Sequence, residues 1–385
     1  MDYRLMTARF PRLGRLLENA SGRLPGPPES RARRSVHVLE VGGRGGVFQH
    51  ALAVAQQLAA SGTPVVIHTA NDCEIEQDGI DYCFCFSWFR GKRLRSLRIA
   101  LSFILRTLPH IAAKTRGIVR VQGTFKAPLT LLMLVVLRLS RRSAFFSPHN
   151  LFSRSDNRFE SKAISWATRV ASLVVVYNTS DAAKLSASNV ANISIPLEMF
   201  TPPIDAPTLR RWADIIGDNG FTVASIGQIR ADKNIGLLIE ACQTAGVRLV
   251  VMGPDAGGAD AILHEHSFSA ADVLWLEGYH DLKDLAAVTA VSDCVALPYS
   301  LSSQSAAASL AKAYRTTVLA YSTGGLVEQA DELVDSLDVE TWSTAISKLS
   351  RQSAKQSVIP SDGIAPIIGP VPSKLRHSIR LFWNA

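Results

Sequence analysis

From Ser35 onward the chain repeats one pattern: a short apolar run, a turn marked by glycine or proline, and a longer segment with helical periodicity. Val36 to Val41 reads as a short strand. Gly42, Gly43, Arg44, Gly45 and Gly46 form a glycine-rich turn. Val47 to Ala60 reads as a helix, with Ala51, Leu52, Val54, Ala55, Leu58 and Ala59 on its apolar positions. Gly62 ends that helix and Val65 to His68 begins the next strand. A strand, a helix and a second strand in this order form a parallel unit, so the class is α/β.

Further strands are expected at Tyr82–Phe86, Ile118–Gln122, Ser143–Ser147 and Leu173–Tyr177, with helices between them. Pro202, Pro203 and Pro207 then mark a hinge-like break. A second series follows at Thr222–Ile226, Arg248–Met252, Val273–Leu276, Cys294–Leu297 and Thr317–Tyr321. The expected division is a basic appendage and linker over 1–35, an α/β domain over 36–203, a second over 204–355, and a tail over 356–385. The tail is rich in Pro, Gly and Ser and ends in an amphipathic segment, Leu375 to Trp383, placed to pack back on the first domain.

Composition agrees with two packed cores. Of the 385 residues, 47% are hydrophobic and 19% charged, which excludes large-scale disorder. Five cysteines make no disulfide framework; Cys83 and Cys85 stand one residue apart, and no Cys/His set has zinc-finger spacing. A reducing cytosol and no metal are the expectations. No secretory signal pattern is visible. The longest apolar run, Leu131 to Leu137, is far short of the ~20 residues of a spanning helix.

Charge is distributed unevenly. Residues 1–150 hold 22 Lys+Arg against 9 Asp+Glu, and residues 151–385 hold 19 against 24. The first half therefore suits an anionic partner. In Trp88 to Arg106, Arg90, Lys92, Arg93, Arg95, Arg98 and Arg106 flank Leu94, Leu97, Leu101, Ile104 and Leu105 at helical spacing. Arg116 to Arg142 adds six cations and no acid. A hydrophobic stripe beside dense basic charge suits the surface of an anionic bilayer; the alternative is leucines facing a core beneath solvated arginines. Leu5, Leu13, Leu16 and Leu17, mixed with Arg4, Arg9, Arg12 and Arg15, fit a basic amphipathic helix or a frayed tail. No reading helix or RNA-binding module is present, so no specific nucleic acid is expected.

Four places carry residues suited to chemistry. The Gly43–Gly46 turn lets backbone N–H groups approach a phosphate at a helix N-terminus, or serves as a tight packing turn. It is not a complete dinucleotide fingerprint, because Phe48 holds the last position. The string Gly227-Gln228-Ile229-Arg230-Ala231-Asp232-Lys233-Asn234 lies between a strand and the helix Ile235 to Ala245, so Arg230 and Lys233 are placed to meet a diphosphate. The stretch from Pro298 and Tyr299 through Ser303, Gln304 and Ser305 leads into an alanine-rich helix, Ala306 to Tyr314, with Gly324, Gly325 and Glu328 beyond. Its serines are candidates for a phosphate or sugar, or for an ordinary helix cap. His149, in Ser147-Pro148-His149-Asn150 after a strand, is a candidate on the acceptor side or a satisfied loop histidine; His50, within the first helix, reads as structural.

Taken in order, these motifs resemble the GT-B glycosyltransferases, and glycosyltransferase family 4 in particular, over roughly residues 36–330. The family's Gly-Gly-Val-x-x-His segment corresponds to Gly45-Gly46-Val47-Phe48-Gln49-His50. Its Gly-Arg-x-x-x-x-Lys-Gly segment corresponds to Gly227-Gln228 and Lys233-Asn234; its late Pro-Ser/Tyr loop and Gly-Gly-x-x-Glu correspond to Pro298-Tyr299 and to Gly324, Gly325 and Glu328. The string from Gly227 to Asn234 is similar to an exopolysaccharide branch of the family. The chain departs from the family at Ser302 and Leu310, where two glutamates are usual, and at Gln228, where arginine is usual.

The resemblance implies two Rossmann-like domains facing each other across a cleft. It also implies a nucleotide-diphosphate sugar as donor substrate, and no cofactor or metal. Arg230, Lys233 and His149 are the implied catalytic residues. Gly45, Gly46, Gly227, Tyr279, His280, Tyr299, Ser303, Gln304, Ser305 and Glu328 are the implied binding residues. The acceptor would be a lipid-linked saccharide or another membrane-associated molecule used in surface or extracellular polysaccharide synthesis. The protein would sit peripherally on the inner, cytoplasmic face of the cell membrane. A non-catalytic scaffold on the same fold, and an NAD-linked sugar-modifying enzyme using the first glycine turn, are the rivals.

Overall fold

The structure is a computed structural model that describes residues 35–86, 103–115, 117–123, 126–151, 158–217, 220–352, 362–367, 370 and 372–384. The basic appendage over 1–34, the stretch from Trp88 to Ser102 and most of the Ser353–Pro372 tail lie outside the described residues.

The first half builds a seven-stranded sheet from β1 (Val36–Leu39), β2 (Val65–Thr69), β3 (Asp81–Phe84), β4 (Ile118–Gln122), β5 (Ser143–Ser147), β6 (Leu173–Val176) and β7 (Asn192–Ser194). Its order is β3-β2-β1-β4-β5-β6-β7, with every pairing parallel. The helices joining these strands include α1 (Gly45–Ala60), α2 (Leu108–Lys114), α3 (Ala127–Leu139), α4 (Arg158–Val170) and α5 (Thr179–Ala187). After α6 (Ala206–Ile216) the chain builds a second parallel sheet. Its strands are β8 (Thr222–Ile226), β9 (Arg248–Gly253), β10 (Val273–Glu277), β11 (Cys294–Leu297), β12 (Thr317–Tyr321) and β13 (Glu332–Val334), in the order β10-β9-β8-β11-β12-β13. Its helices are α7 (Ile235–Ala245), α8 (Ala259–Glu265), α9 (Leu282–Val291), α10 (Ala306–Ala313), α11 (Leu326–Gln329) and α12 (Val339–Gln352).

The central strands are buried throughout their length, as parallel strands covered on both faces must be. Each sheet reverses direction between its first strand and the fourth: β1 against β4, and β8 against β11. Ligands of open α/β sheets gather at the carboxyl ends of the strands at that reversal. The candidate residues follow the carboxyl ends of strands in these sheets, those after β1, β8 and β11 at the reversals themselves.

Two short strands, β7 and β13, escape the sequence pattern because three-residue edge strands carry no alternation to read. Helix α1 begins at Gly45 rather than Val47. At the far end, α13 (Ser373–Asn384) lies against β4 and β7 of the first sheet, with Leu375 and Ile379 buried. Of the basic stretch, Ile104 and Leu105 are among the described residues, and they are 44% and 70% exposed. Among the described residues, no helix is long and apolar enough to cross a membrane.

Candidate active site

The second-domain half of the site is set by a turn that separates two cations. β8 ends at Ile226, and Gly227 follows it with a φ of +99° that is open to glycine. A single 3-10 turn, Ala231–Lys233, and a left-handed Asn234 then start α7. The Asn234 side-chain amide donates to the Pro298 carbonyl at 2.7 Å, tying this turn to the loop after β11. Lys233 is carried inward and is 8% exposed. Its Nζ lies 3.4 Å from the Ile226 carbonyl and 4.8 Å from the centre of the Tyr299 ring. Among the described residues it has no carboxylate partner. Arg230 turns the other way. Its Nε and Nη2 donate to the two carboxylate oxygens of Asp232 at 2.9 and 2.8 Å, and Nη1 donates to Gln228 at 3.3 Å. Of the two cations expected at a diphosphate, only Lys233 keeps its charge uncompensated.

The loop after β11 holds buried polar atoms with nothing to bind. The Tyr299 hydroxyl and the Ser303 hydroxyl are buried without a hydrogen-bond partner among the described residues. Ser305 caps α10, accepting from the Ala308 N–H at 3.3 Å, so its hydroxyl has the ordinary capping task. Gln329 brackets the Ser305 backbone, accepting from its N–H at 2.7 Å and donating to its carbonyl at 3.1 Å. Gly324 and Gly325 are glycine because the loop presses on them: a Cβ would stand 1.8 Å from the Ser302 carbonyl oxygen and 1.9 Å from that of Ser303.

Several candidates join the two domains instead of facing open space. The Gln304 amide donates to the His149 carbonyl at 3.0 Å and lies 3.2 Å from His149 Nδ1. Glu328 Oε1 accepts from the Thr179 N–H at 2.7 Å and its hydroxyl at 2.6 Å. Tyr279 donates its hydroxyl to Glu74, while the Arg44 guanidinium lies over its ring at 5.7 Å. His280 instead turns back on β10, with Nε2 3.1 Å from the Leu276 carbonyl. The start of α1 meets the start of α10: a Cβ on Gly46 would lie 3.1 Å from the Ala306 methyl.

In the first domain the glycine turn is filled by the chain itself. Glu40 accepts from the Gly42 N–H at 2.8 Å, the Gly43 N–H at 2.7 Å and the Thr69 hydroxyl at 3.2 Å. Gly45 donates to Glu74 at 3.3 Å. These N–H groups are therefore not turned toward a phosphate, which counts against the NAD-linked reading. Below them lies a polar cluster. His149 Nε2 is 2.8 Å from the Gln122 amide, and its ring packs at 5.2 Å from Tyr177. Arg120, 1% exposed, donates to Ser147 at 3.0 Å and Tyr177 at 3.2 Å and lies 3.3 Å from His50 Nε2. His50 Nδ1 reaches the Glu198 carbonyl. Arg120 Nη1 and Gln122 Oε1 have no partner, so four of the eight orphaned buried polar atoms among the described residues lie at these strand ends. Such groups are costly unless a ligand or water satisfies them.

A cavity of 440 Å³ lies off this constellation, lined by Gln57, Tyr177, Glu198, Ser309, Lys312 and Glu328 among others. It touches the cluster through Tyr177.

Glu40 makes a prediction about pH. Burial pushes its carboxyl from 4.5 up to about 7, against the pull of the Gly43, Gly42 and Thr69 hydrogen bonds. The folded chain holds this proton more tightly than the unfolded chain. Stability from it is complete below about 4.5 and is lost as pH rises through about 7, by about 3 kcal/mol in all. His50 acts oppositely: burial, with Arg120 and His149 adding repulsion, pushes it well below 6.5, so stability falls as pH drops below that value. Comparing wild type with Glu40→Gln isolates the first effect. The stability difference should shift in the variant's favour between about pH 5 and about pH 8. A pH-independent difference in urea unfolding would refute the assignment.

No protein-family model matches the sequence, and no curated protein matches it. The likeness is in three dimensions. The chain is similar to the Anabaena protein HepE in complex with UDP-glucose, at 16% identity and a TM-score of 0.61, over 82% of this chain and 89% of that one. It is similar to sucrose-phosphate synthase from Thermosynechococcus elongatus, at 16% identity and a TM-score of 0.63, over 91% of this chain and 95% of that one. It is also similar to the catalytic domain of starch synthase IV from Arabidopsis thaliana bound to ADP and acarbose, at 14% identity and a TM-score of 0.62, over 91% of this chain and 94% of that one.

The fold is GT-B.

Within this GT-B frame, sequence reasoning missed Arg120, Gln122, Tyr177 and Asn178, whose amide donates to the Ser303 carbonyl at 2.9 Å. A signal for the first two was present. Ile118-Val119-Arg120-Val121-Gln122 places a charge and an amide on one face of a strand whose neighbours are apolar, and a central buried strand tolerates neither without a purpose. Glu40, one residue past β1, had no such signal.

Proposed function

We propose that this GT-B chain transfers a sugar from a nucleotide-diphosphate donor, bound mainly by the second domain, to an acceptor held by the first. The observation that carries this reading is Lys233: a buried ammonium at the carboxyl end of β8 that has no counter-anion among the described residues, beside a Tyr299 hydroxyl that has no hydrogen-bond partner among them. An ammonium placed there stabilises the negative charge that develops on a departing diphosphate, and a preorganised charge in a dry site is worth most in the transition state. The chain has no D-x-D string, so Lys233 supplies that charge in this reading without a metal clamp. His149, braced by Gln122 and Gln304, is the group positioned to bind an acceptor hydroxyl. Arg230 acts at the rim only if Asp232 releases it. The motif order supports family 4 and its exopolysaccharide branch. The excess of cations in residues 1–150 supports a lipid-linked saccharide acceptor on the anionic inner face of the cell membrane.

A thermal-shift panel of UDP, GDP, ADP and their sugar conjugates, with NAD as control, tests the reading. A ligand at 100 times its dissociation constant adds about 2.7 kcal/mol. Stabilisation by one nucleotide diphosphate, followed by sugar transfer or donor hydrolysis, is the expected result. Stabilisation by NAD alone overturns it.

One set of observations favours a second reading, a non-catalytic protein on this fold. Glu328 is spent on Thr179, Gln304 on His149, and Gly46 abuts Ala306, so the domains close on each other where a donor sugar would lie. Silence across the panel with acceptor saccharides also present makes that reading the better one.

A further inference from the structure

We propose that His68, Cys83, Cys85 and His110 bind one zinc ion, at a structural site on the edge of the first sheet and separate from the interdomain site. One ligand atom from each of these four residues lies within 4.8 Å of every other. Among the described residues, no other group of three or more His, Cys, Asp or Glu side chains could hold a metal ion.

The site is a product of sheet register. β2 and β3 pair in parallel with His68 opposite Cys83. Cys85 lies one residue past β3, where its N–H donates to the Cys83 and Thr69 carbonyls, each at 3.1 Å, and this turn keeps its thiol within reach of Cys83 and His68. Helix α2 contributes His110; Cys83 Sγ stands 3.0 Å from His110 Nε2. Phe86, Phe103 and Ile111 pack in one apolar cluster around it, distinct from the cluster that α1 forms on the opposite face.

The donor set is specific. Two thiolates and two imidazoles in a compact group are the tetrahedral Cys₂His₂ arrangement of structural zinc, in which donors stand about 3.3–3.8 Å apart, so closing the group needs only a small contraction. Mixed sulfur and nitrogen donors disfavour magnesium and calcium. His68 has a second observation in its favour: it is buried, and its Nδ1 has no hydrogen-bond partner. Its Nε2 lies 3.1 Å from His37 Nδ1, the kind of outer contact that orients a metal-binding imidazole. Binding would replace the two thiol protons by Zn²⁺ and release two protons to solvent.

The position also gives the ion a purpose. Cys85 and His110 stand on either side of the cation-rich stretch that contains Arg90, Lys92, Arg93, Arg95 and Arg98. A zinc ion held by both would pin the end of edge strand β3 to α2. Cross-links of this kind act mainly by restricting the unfolded chain.

Metal analysis of the untagged full chain, purified with reductant and without chelator, is the test. About one zinc per chain is expected, with a Co²⁺-substituted form showing thiolate-to-metal charge transfer and tetrahedral d–d bands. The Cys83→Ser/Cys85→Ser variant should hold at least tenfold less zinc, whereas Cys242→Ser/Cys294→Ser, which alters two buried thiols elsewhere, should hold as much as wild type. If the double variant does not fold, the wild-type stoichiometry and the cobalt spectrum decide. Folded wild type that takes up less than a tenth of an equivalent after zinc loading overturns the proposal, as does a Cys83–Cys85 disulfide that persists under reductant.

Discussion

Lys233→Ala abolishes the response to the nucleotide diphosphate while leaving the free protein as stable as wild type, or more so. The two halves of this expectation come from one fact. A buried ammonium with no carboxylate partner among the described residues is a cost to the folded chain; among those residues its hydrogen-bond acceptor is the Ile226 carbonyl, 3.4 Å away, and its ring contact is the face of Tyr299. Replacing it with a methyl group removes that cost together with the packing of its carbon stem, and the two oppose each other. For a bound diphosphate the loss is one-sided. A charge-assisted contact in a water-poor site is worth roughly 2–5 kcal/mol when one partner is removed, which is roughly 30-fold to several thousand-fold in affinity. Turnover should fall by a further factor, because the charge being stabilised grows as the leaving group departs; removing one such donor costs about 10² to 10³ in rate. Lys233→Arg should recover part of the binding. The measurements are melting temperature with and without the stabilising nucleotide, and initial rate at saturating donor. An unchanged ligand shift in Lys233→Ala would falsify the assignment, and a large drop in the melting temperature of the free protein would make Lys233 structural.

The second large effect is on folding. Gly324→Ala should destabilise the second domain by more than about 3 kcal/mol, which for a domain of this size lowers the melting temperature by roughly 6–12 °C. Two costs coincide at this residue. Its φ of +50° disfavours any side chain, and a Cβ would stand 1.8 Å from the Ser302 carbonyl oxygen, which is backbone and cannot rotate away. Relief would require the Ser302–Ser305 loop to move, carrying with it the Gln304 bond to His149 across the domains. Gly246→Ala is the matching control. It has a similar φ of +66° but nothing within 4 Å of the added atom, so it should cost only about 1 kcal/mol. Equal losses in the two variants would show that φ alone, and not the close approach of the loop, requires glycine at 324.

The two variants also separate what could be read from the chain and what could not. The strand-to-helix turns that hold the candidate residues were legible, because an apolar run ending in Gly227 or Pro298 and followed by helical spacing is a local pattern. Which side chains those turns leave available was not. Arg230 and Lys233 look equivalent in the string from Gly227 to Asn234. Only the 3-10 turn and Asp232 decide that one is paired and the other buried with its charge uncompensated. Ser305 could be a ligand or a helix cap from sequence, and the structure gives its hydroxyl to Ala308. The glycines after β1 could face a phosphate, and the structure turns two of them toward Glu40.

Local sequence pattern was enough for the α/β class, the parallel sheets and most strand positions. Each of these depends on residues close together along the chain, where period and turn chemistry dominate. The tertiary structure alone decided the pairings: Gln304 with His149, Glu328 with Thr179, and His68 with Cys83, Cys85 and His110. Those contacts depend on strand register and on how two domains close. A shift of one residue in register would send Cys83 to the other face of its strand, and a local pattern carries no information about which partner a distant side chain will meet.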